Sequence, residues 1–504
     1  MKKNKISYLA IVLLMMAAIV SCKKSFIEVK PEGQFLSENY YADKDQAFAA
    51  LVGVYDVLRK NSGGFENMIT MMNAGSDDHV AGGGGATDGV GIQSFSNFTI
   101  DKNTMPASFW NDYYQGIFRA NTLLTKLPST NMDATLKQRF IAEAKTLRAY
   151  YYFDLLRMFK NIPFTLEPLT ATNMYQVTQA APADVYTQIE NDLLEAIPQL
   201  PSTVSVSTDG GRLTKGAAQA ILGKIYLYDN KGALAAAQLA DVNGTPGGTS
   251  QYGFRLQSNF SDLWVTANKF NTESVLEVAH SSLGNSDWGW WGSSRDEGNT
   301  VNVMVGPRSY SRPTGSTAPD LPSGWSFNVF TQDFYDVIKT DPRFAATVFD
   351  LKALKAAGQA DYIEGYENTG YFLNKFLPRR ADVRTGGGAM ELNYKQNTYA
   401  IRLADTYLME AEALGGTGAR AQALLDAVRA RVGLPSVPVS LNAIKLERRL
   451  ELAGEGHRFF DLVRWGDAAA KLSGRGFTAG KNEIFPIPLR ELQGTQLQQN
   501  PGYN

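Results

Sequence analysis

Two stretches of this chain share one construction: "KGAAQAILGKIYLYDNKGALAAAQLADV" (215–242) and "RLADTYLMEAEALGGTGARAQALLDAVRARVGLP" (402–435). Each reads as an Ala-rich helix, a short turn and a second Ala-rich helix. Small residues fall twelve positions apart, Gly223 and Ala235 in the first and Ala411 and Ala423 in the second, where paired helices must approach closely. Tyr407, Ala430 and Pro435 extend the second unit at offsets that fit the 34-residue tetratricopeptide period, although its Trp-Leu-Gly part is incomplete. Helical hairpins of other kinds give similar spacing. The two units lie about 190 residues apart, so the chain must leave a helical scaffold and return to it.

Further helices are predicted ahead of the first unit. Phe48, Leu51, Val54 and Leu58 recur at helical spacing within residues 40–60, and 110–127 forms a second periodic segment. A long third, 135–164, should end before Pro163, and a fourth, 182–200, has Pro182 near its start. Between the two Ala-rich units the texture changes. Residues 243–330 are rich in Gly, Ser, Thr, Asn and aromatics, with one short strand candidate, "SVLEVAHS" (274–281). Long irregular segments in compact proteins carry function or are disordered, and the aromatic density argues against disorder. The middle of the chain is therefore expected to be a set of loops carried on helices from both ends.

Lys+Arg number 49 and Asp+Glu 50, so no basic field attracts phosphate, and nucleic acid is excluded as a partner. The N-terminus opens with a positive "MKKNK" and an apolar run too short to span a bilayer comfortably. The run ends in "IVSC", which is similar to a bacterial lipobox, with cleavage before Cys22 and acylation of it. An ordinary signal peptide is the alternative. Cys22 is the only cysteine, which excludes an intramolecular disulfide and a structural cysteine-ligated zinc.

"SDWGWWGSS" (286–294) places Trp288, Trp290 and Trp291, three of seven tryptophans, in a Gly/Ser-rich loop. A pyranose ring offers an apolar C–H face that stacks on an indole, and its hydroxyls need polar partners at the edge. Asp287, Arg295, Asp296 and Asn299 supply those within a few residues, and Arg308, Tyr310 and Trp325 extend the candidate platform. Stacking on one indole contributes about 1–2 kcal/mol. Packing is the competing role for tryptophan, and at least one of the three is expected to plug the loop onto the scaffold.

"AGSDDHVAGGGGATDGVG" (74–91) is the second candidate, with Asp77 and Asp78 read as hydroxyl acceptors and a solvated loop as the alternative. It lacks the G-K-[ST] of a phosphate loop. Its two carboxylates and His79 lack EF-hand or helical ligand spacing, so no cofactor is implied and a structural Ca2+ is not indicated. "ERRLELAGEGHRFFDLVRW" (447–465) invites an acid–base reading through His457, Arg458 and Asp461, but structural ion pairs that fix a C-terminal helix are the simpler one.

The stretches "LRAYYYFDLLRMFKNIPF", "YAIRLADTYLMEAEAL", "LERRLELAGEGHRFFDLVRWG" and "FPIPLRELQGTQLQQNPGYN", with "DPRF" at 341–344, occur in one order across about 360 residues. On them the chain resembles the SusD/RagB family of outer-membrane nutrient-binding lipoproteins of Bacteroidetes. The resemblance implies a mainly α-helical fold, about four tetratricopeptide-like helix pairs with few short strands, and loops that present a ligand site. It implies a signal peptide over 1–21, an N-terminal helical region over 22–270, and a C-terminal region over 271–504. That last region would hold the ligand loops (271–330) and the returning helices. It further implies a protein without catalytic residues, lipid-anchored in the outer membrane and facing the exterior, that delivers an oligosaccharide or polysaccharide to a SusC-like TonB-dependent transporter. Members bind glycans or, in some cases, peptides. "CKKSF" lacks the acidic residues that accompany surface display in this phylum, which leaves the facing of the anchor open. From another class, a glycoside hydrolase would need two carboxylates across a cleft, with Asp287, Asp296 and Glu297 as candidates. A pure interaction scaffold would leave the tryptophan loop unexplained.

Overall fold

The computed structural model describes residues 41–284, 287–288, 297–384 and 387–504. Cys22, Trp290 and Trp291, like Arg295 and Asp296, lie outside the described residues. The architecture is mainly helical with few short strands.

Helix α1 (Lys44–Tyr55) starts where the Asp43 carboxylate accepts the N–H groups of Asp45 and Gln46. It buries Leu51 and Val54 but leaves Phe48 40% exposed. Two short helices, α2 (Met68–Ala74) and α3 (Val90–Ser96), precede the long α4 (Ser108–Lys126) and α5 (Ala134–Phe159). Asp133 caps α5, and the helix stops at Lys160, three residues ahead of Pro163 as expected. From Phe140 to Phe159 most of α5 is buried, because it packs against both α4 and α6 (Pro182–Ala196).

The first Ala-rich unit folds as α7 (Lys215–Tyr228) and α8 (Gly232–Asn243). A Cβ at Gly223 would sit 2.6 Å from Leu239 Cγ, so glycine there sets how closely the two helices approach. The second folds as α9 (Leu403–Ala413) and α10 (Gly418–Arg431). Here one expectation needs correction. Ala411 is buried, but Ala423 and Ala430 face solvent, and Ala421 takes the packed position. Because α10 begins at Gly418, its inward stripe runs Ala421, Leu424, Leu425 and Val428, and position 423 falls on the opposite side. The units from the two halves meet at α8 and α9. Asn243 donates to the Thr406 carbonyl at 3.1 Å and to Glu410 Oε2 at 2.7 Å.

Strand β1 (Ser274–Val278) covers most of the strand candidate. Two short strands, β2 (Val348–Asp350) and β3 (Tyr371–Leu373), pair with each other, and β1 pairs antiparallel with β4 (Thr398–Arg402), Ser274 opposite Arg402. Helix α11 (Leu441–Glu451) and α12 (Arg458–Arg464) close the chain against this core.

The charged motif at 447–465 forms structural ion pairs that fix the C-terminal helices to the scaffold, as expected. Arg402, fully buried, donates to Glu273, Glu451 and Glu455 at 2.6–2.9 Å. Arg343, also fully buried, donates to Glu447 and Glu451. Asp461 is held by Arg448 and Arg464, while Arg458 reaches away to Asp77. Buried charges persist only when paired and hydrogen-bonded, and these are. His457 is buried beside them, and burial pushes its pKa down to about 4, so it stays a neutral packing residue near pH 7. Among the described residues no helix is long and apolar enough to cross a membrane.

Candidate functional site

Trp325 sits on backbone fixed at several points. Its N–H donates to the Val303 carbonyl at 2.8 Å, and its own carbonyl accepts Arg308 Nε at 3.0 Å. The neighbouring Ser326 and Asn328 adopt positive φ, 62° and 55°, which side chains tolerate only where the surroundings hold them.

Those surroundings are the Gly-rich loop. Val80 and Gly83 donate to the Val329 and Ser326 carbonyls at 3.1 and 2.8 Å, and Asn328 donates back to Ala81. A Cβ at Gly82 would lie 2.3 Å from the Ser326 oxygen. Glycine is thus required for close backbone approach rather than for binding an anion. Farther along the loop, Asp88 Oδ2 accepts the Gly84 N–H and Arg308 Nη2, both at 2.7 Å, which ties the loop to the segment carrying Trp325.

On this base lies a run of three rings. Trp288, 52% exposed, stands with its ring centroid 6.0 Å from Trp325 and its plane tilted by 32°. Phe65 continues the run, 6.2 Å from Trp325 and tilted by 36°. Phe65 is itself propped edge-on by the buried Phe327 at 5.2 Å. Asp287 is exposed, and its Oδ1 accepts the Trp288 N–H at 2.9 Å. The part-exposed Arg308–Asp88 pair lies at the edge of the run. The rings, tilted by 32° and 36°, form a part-exposed aromatic cluster with Arg308 and Asp88 beside it, a combination whose chemistry suits the C–H faces and hydroxyls of sugar rings.

Other expected site residues are placed elsewhere. Asp77 accepts both arms of Arg458 at 2.8 Å, and Asp78 accepts Arg449 Nε at 2.6 Å. Burial would raise Asp77, but the hydrogen bonds and charge of Arg458 outweigh it and hold the carboxyl below its usual range. Burial and the adjacent Asp77 push Asp78 up to about 6. Both carboxylates pin the Gly-rich loop to α11 and α12, so the expectation that they accept ligand hydroxyls is corrected. Tyr310 is 8% exposed, packs against Phe349 and donates its hydroxyl to the Pro319 carbonyl. It belongs to the core beneath the loops, which removes it from the candidate platform. Arg379 and Arg380, an arginine pair of the kind that could favour acidic polymers, donate to Asn374 and to the Leu321 carbonyl, and Arg380 also pairs with Asp320.

Phe65 and Asp88 escaped the sequence reading. Phe65 follows "SGG" and Asp88 follows "GGGGAT", and neither has an aromatic neighbour to mark it. His79 is buried, with Nδ1 2.8 Å from the Asn328 carbonyl, and burial pushes its pKa down to about 3. His280 contacts Ser62 Oγ through Nε2, and burial pushes it down to about 4. Neither can carry protons near neutral pH at the aromatic face. Among the described residues no group of three or more His, Cys, Asp or Glu side chains is arranged to hold a metal ion.

Residues 331–476 match the SusD family, and residues 34–227 match a family described as starch-binding, associating with outer membrane. A solved laminarin binding SusD-like protein is 63% identical and superposes with a TM-score of 0.91, covering 92% of this chain and 100% of its own. Surface glycan-binding protein A from Bacteroides thetaiotaomicron is 25% identical with a TM-score of 0.81, again over 92% of this chain and 100% of its own. SusD-like protein P25 of Formosa agariphila is 25% identical over 97% of both chains.

Proposed function

The chain belongs to the SusD family, and on that premise we propose that it captures a neutral glucan of the laminarin type at the cell surface and passes it to a SusC-like TonB-dependent transporter. Proteins of this family are binders without catalysis, and association with the outer membrane comes with the family. The finer points are our reading: a lipid anchor at Cys22, a transporter beneath, and Trp288, Trp325, Phe65, Arg308 and Asp287 as the ligand face. Trp290 and Trp291, which follow Trp288 closely in sequence, are proposed to add to it.

The observation that carries the proposal is the tilted pair of Trp288 and Trp325, a half-exposed indole beside one on fixed backbone. A neutral sugar chain gains most from such a surface. Each stacked ring contributes about 1–2 kcal/mol, so useful affinity requires several in a row. Preorganised rings hold their positions without further ordering cost on binding. The 63% identity to a laminarin-binding relative over all of that relative's length supports laminarin as the ligand class.

Affinity electrophoresis of the protein starting at Lys23 tests this, through gels cast with laminarin, starch or an acidic polysaccharide. Retardation by laminarin, with no reducing ends released, is the expected result. Migration unchanged in every glycan gel would overturn the reading and turn the search to peptides.

A further inference from the structure

Phe65 has two neighbours of different character. On one side it ends the aromatic run, 6.2 Å from Trp325. On the other it lines a groove of about 410 Å3 together with Arg59, Lys60, Glu66, Ser108 and Asp112. The groove begins where the aromatic face ends.

Its floor is an ordered polar cluster. Lys60, buried, donates through Nζ to Ser108 Oγ at 2.6 Å and to the Glu66 carbonyl at 2.5 Å. It also lies 3.6 Å from Asp112 and over the Phe109 ring at 4.4 Å. Ser108 Oγ in turn donates to Glu66 Oε2 at 2.8 Å, and Arg59 lies 3.9 Å from Asp112. Residues 108 and 112 are one helical turn apart at the start of α4, so they share a face. The two cations are matched by Glu66, Asp112 and Asp56, the last 3.7 Å from Arg59. An anionic ligand would find its counter-charges already engaged.

Hydroxyl groups are another matter. A carboxylate offers about four acceptor positions, and Ser108 takes one of those on Glu66. Glu66 and Asp112 are partly exposed, and they accept without donating. The groove is therefore suited to a chain of neutral polyol units, the chemistry that the aromatic run suits through its rings. Arg59 also lines a second groove, of about 300 Å3, that leads to the exposed Phe48 on α1. The track does not close at Asp112.

We propose that the glycan site extends past Phe65 into this groove, with Glu66 and Asp112 accepting hydroxyls from sugar units beyond those stacked on Trp288 and Trp325. The ligand is then a long stretch of polymer rather than a short oligosaccharide. This rests on the reading of the aromatic face as a glycan site, and the test separates the two. Calorimetric titration with laminari-oligosaccharides of increasing length, and with laminarin, should show affinity rising well beyond the trisaccharide. Glu66→Gln combined with Asp112→Asn should weaken long-chain binding about tenfold, the loss of one or two charge-assisted hydrogen bonds. Hydrogen exchange on the unmodified protein should show protection of 59–66 and 108–112 by laminarin and not by laminaritriose, a readout that does not depend on the variants folding. Affinity independent of length, with no protection of those segments, overturns the extension alone. Failure to bind any length overturns the aromatic reading and the extension with it.

Discussion

The aromatic face and the ion cluster around Arg402 are built from side chains that a sequence presents alike, conspicuous and functional in appearance. They differ in what surrounds them. Arg402 is fully buried, and its donors end on Glu273, Glu451 and Glu455 within the fold. Trp288 is half exposed, and beside it Trp325 is held by its backbone and partly exposed. The comparison teaches that in this fold charge is spent internally to join the halves of the chain, while apolar rings are left outward to meet a ligand. A site search guided by charge alone would pick the Arg402 cluster, which is sealed inside the fold.

The contrast can be broken in order of expected effect. Arg402→Leu leaves three buried carboxylates without their shared cation and should lower stability by about 3–5 kcal/mol, read as a fall in the urea midpoint. Glycan affinity of the fraction that remains folded should not change. Asp77→Ala strips Arg458 of its bidentate partner and should lower stability by about 1.5–3 kcal/mol, again with affinity unaltered. Trp288→Ala should do the reverse. Its affinity for laminarin should fall about tenfold, with a change in stability within about 0.5 kcal/mol.

A further effect concerns pH. His280 is held neutral by burial, its pKa pushed down to about 4 in the fold. Below about pH 6.5 the unfolded chain takes up a proton that the folded one refuses, so stability falls as pH drops from about 6.5 to 4. His79 and His457 act in the same direction. Asp78, pushed up to about 6 by burial and Asp77, acts in the opposite one: its contribution is present below about pH 3.8 and is lost as pH rises through 6. The three buried histidines predict acid destabilisation over this range, which Asp78 and the other carboxyls raised by burial, Glu190, Asp192, Glu277 and Glu491, partly offset. His280→Gln should flatten the slope by at most about 1.4 kcal/mol per pH unit, measured from urea midpoints between pH 4.5 and 7.

The scaffold was legible because its signals are local. The spacing of Leu51 and Val54, the end of α5 ahead of Pro163 and the small residues at Gly223 and Ala235 are all settled within a few turns of helix. The register of α10 was not, because the turn before Gly418 decides which alanine faces inward, and Ala421 took the place expected for Ala423. Asp77 and Asp78 misled because their partners, Arg449 and Arg458, lie more than 370 residues away in sequence, and a pair of acids in a Gly-rich loop looks the same whether or not a guanidinium covers it. Phe65 was invisible for the same reason. Its role comes from lying beside Trp325, which folding alone brings about.

The most direct test is a crossed one, in which the Trp288→Ala and Asp77→Ala proteins are each titrated with laminarin and each unfolded in urea. The account predicts that Trp288→Ala binds about tenfold more weakly at an unchanged midpoint, and that Asp77→Ala binds normally at a lowered midpoint. Normal binding by Trp288→Ala together with weakened binding by folded Asp77→Ala would contradict it, and would move the ligand site to the base of the Gly-rich loop.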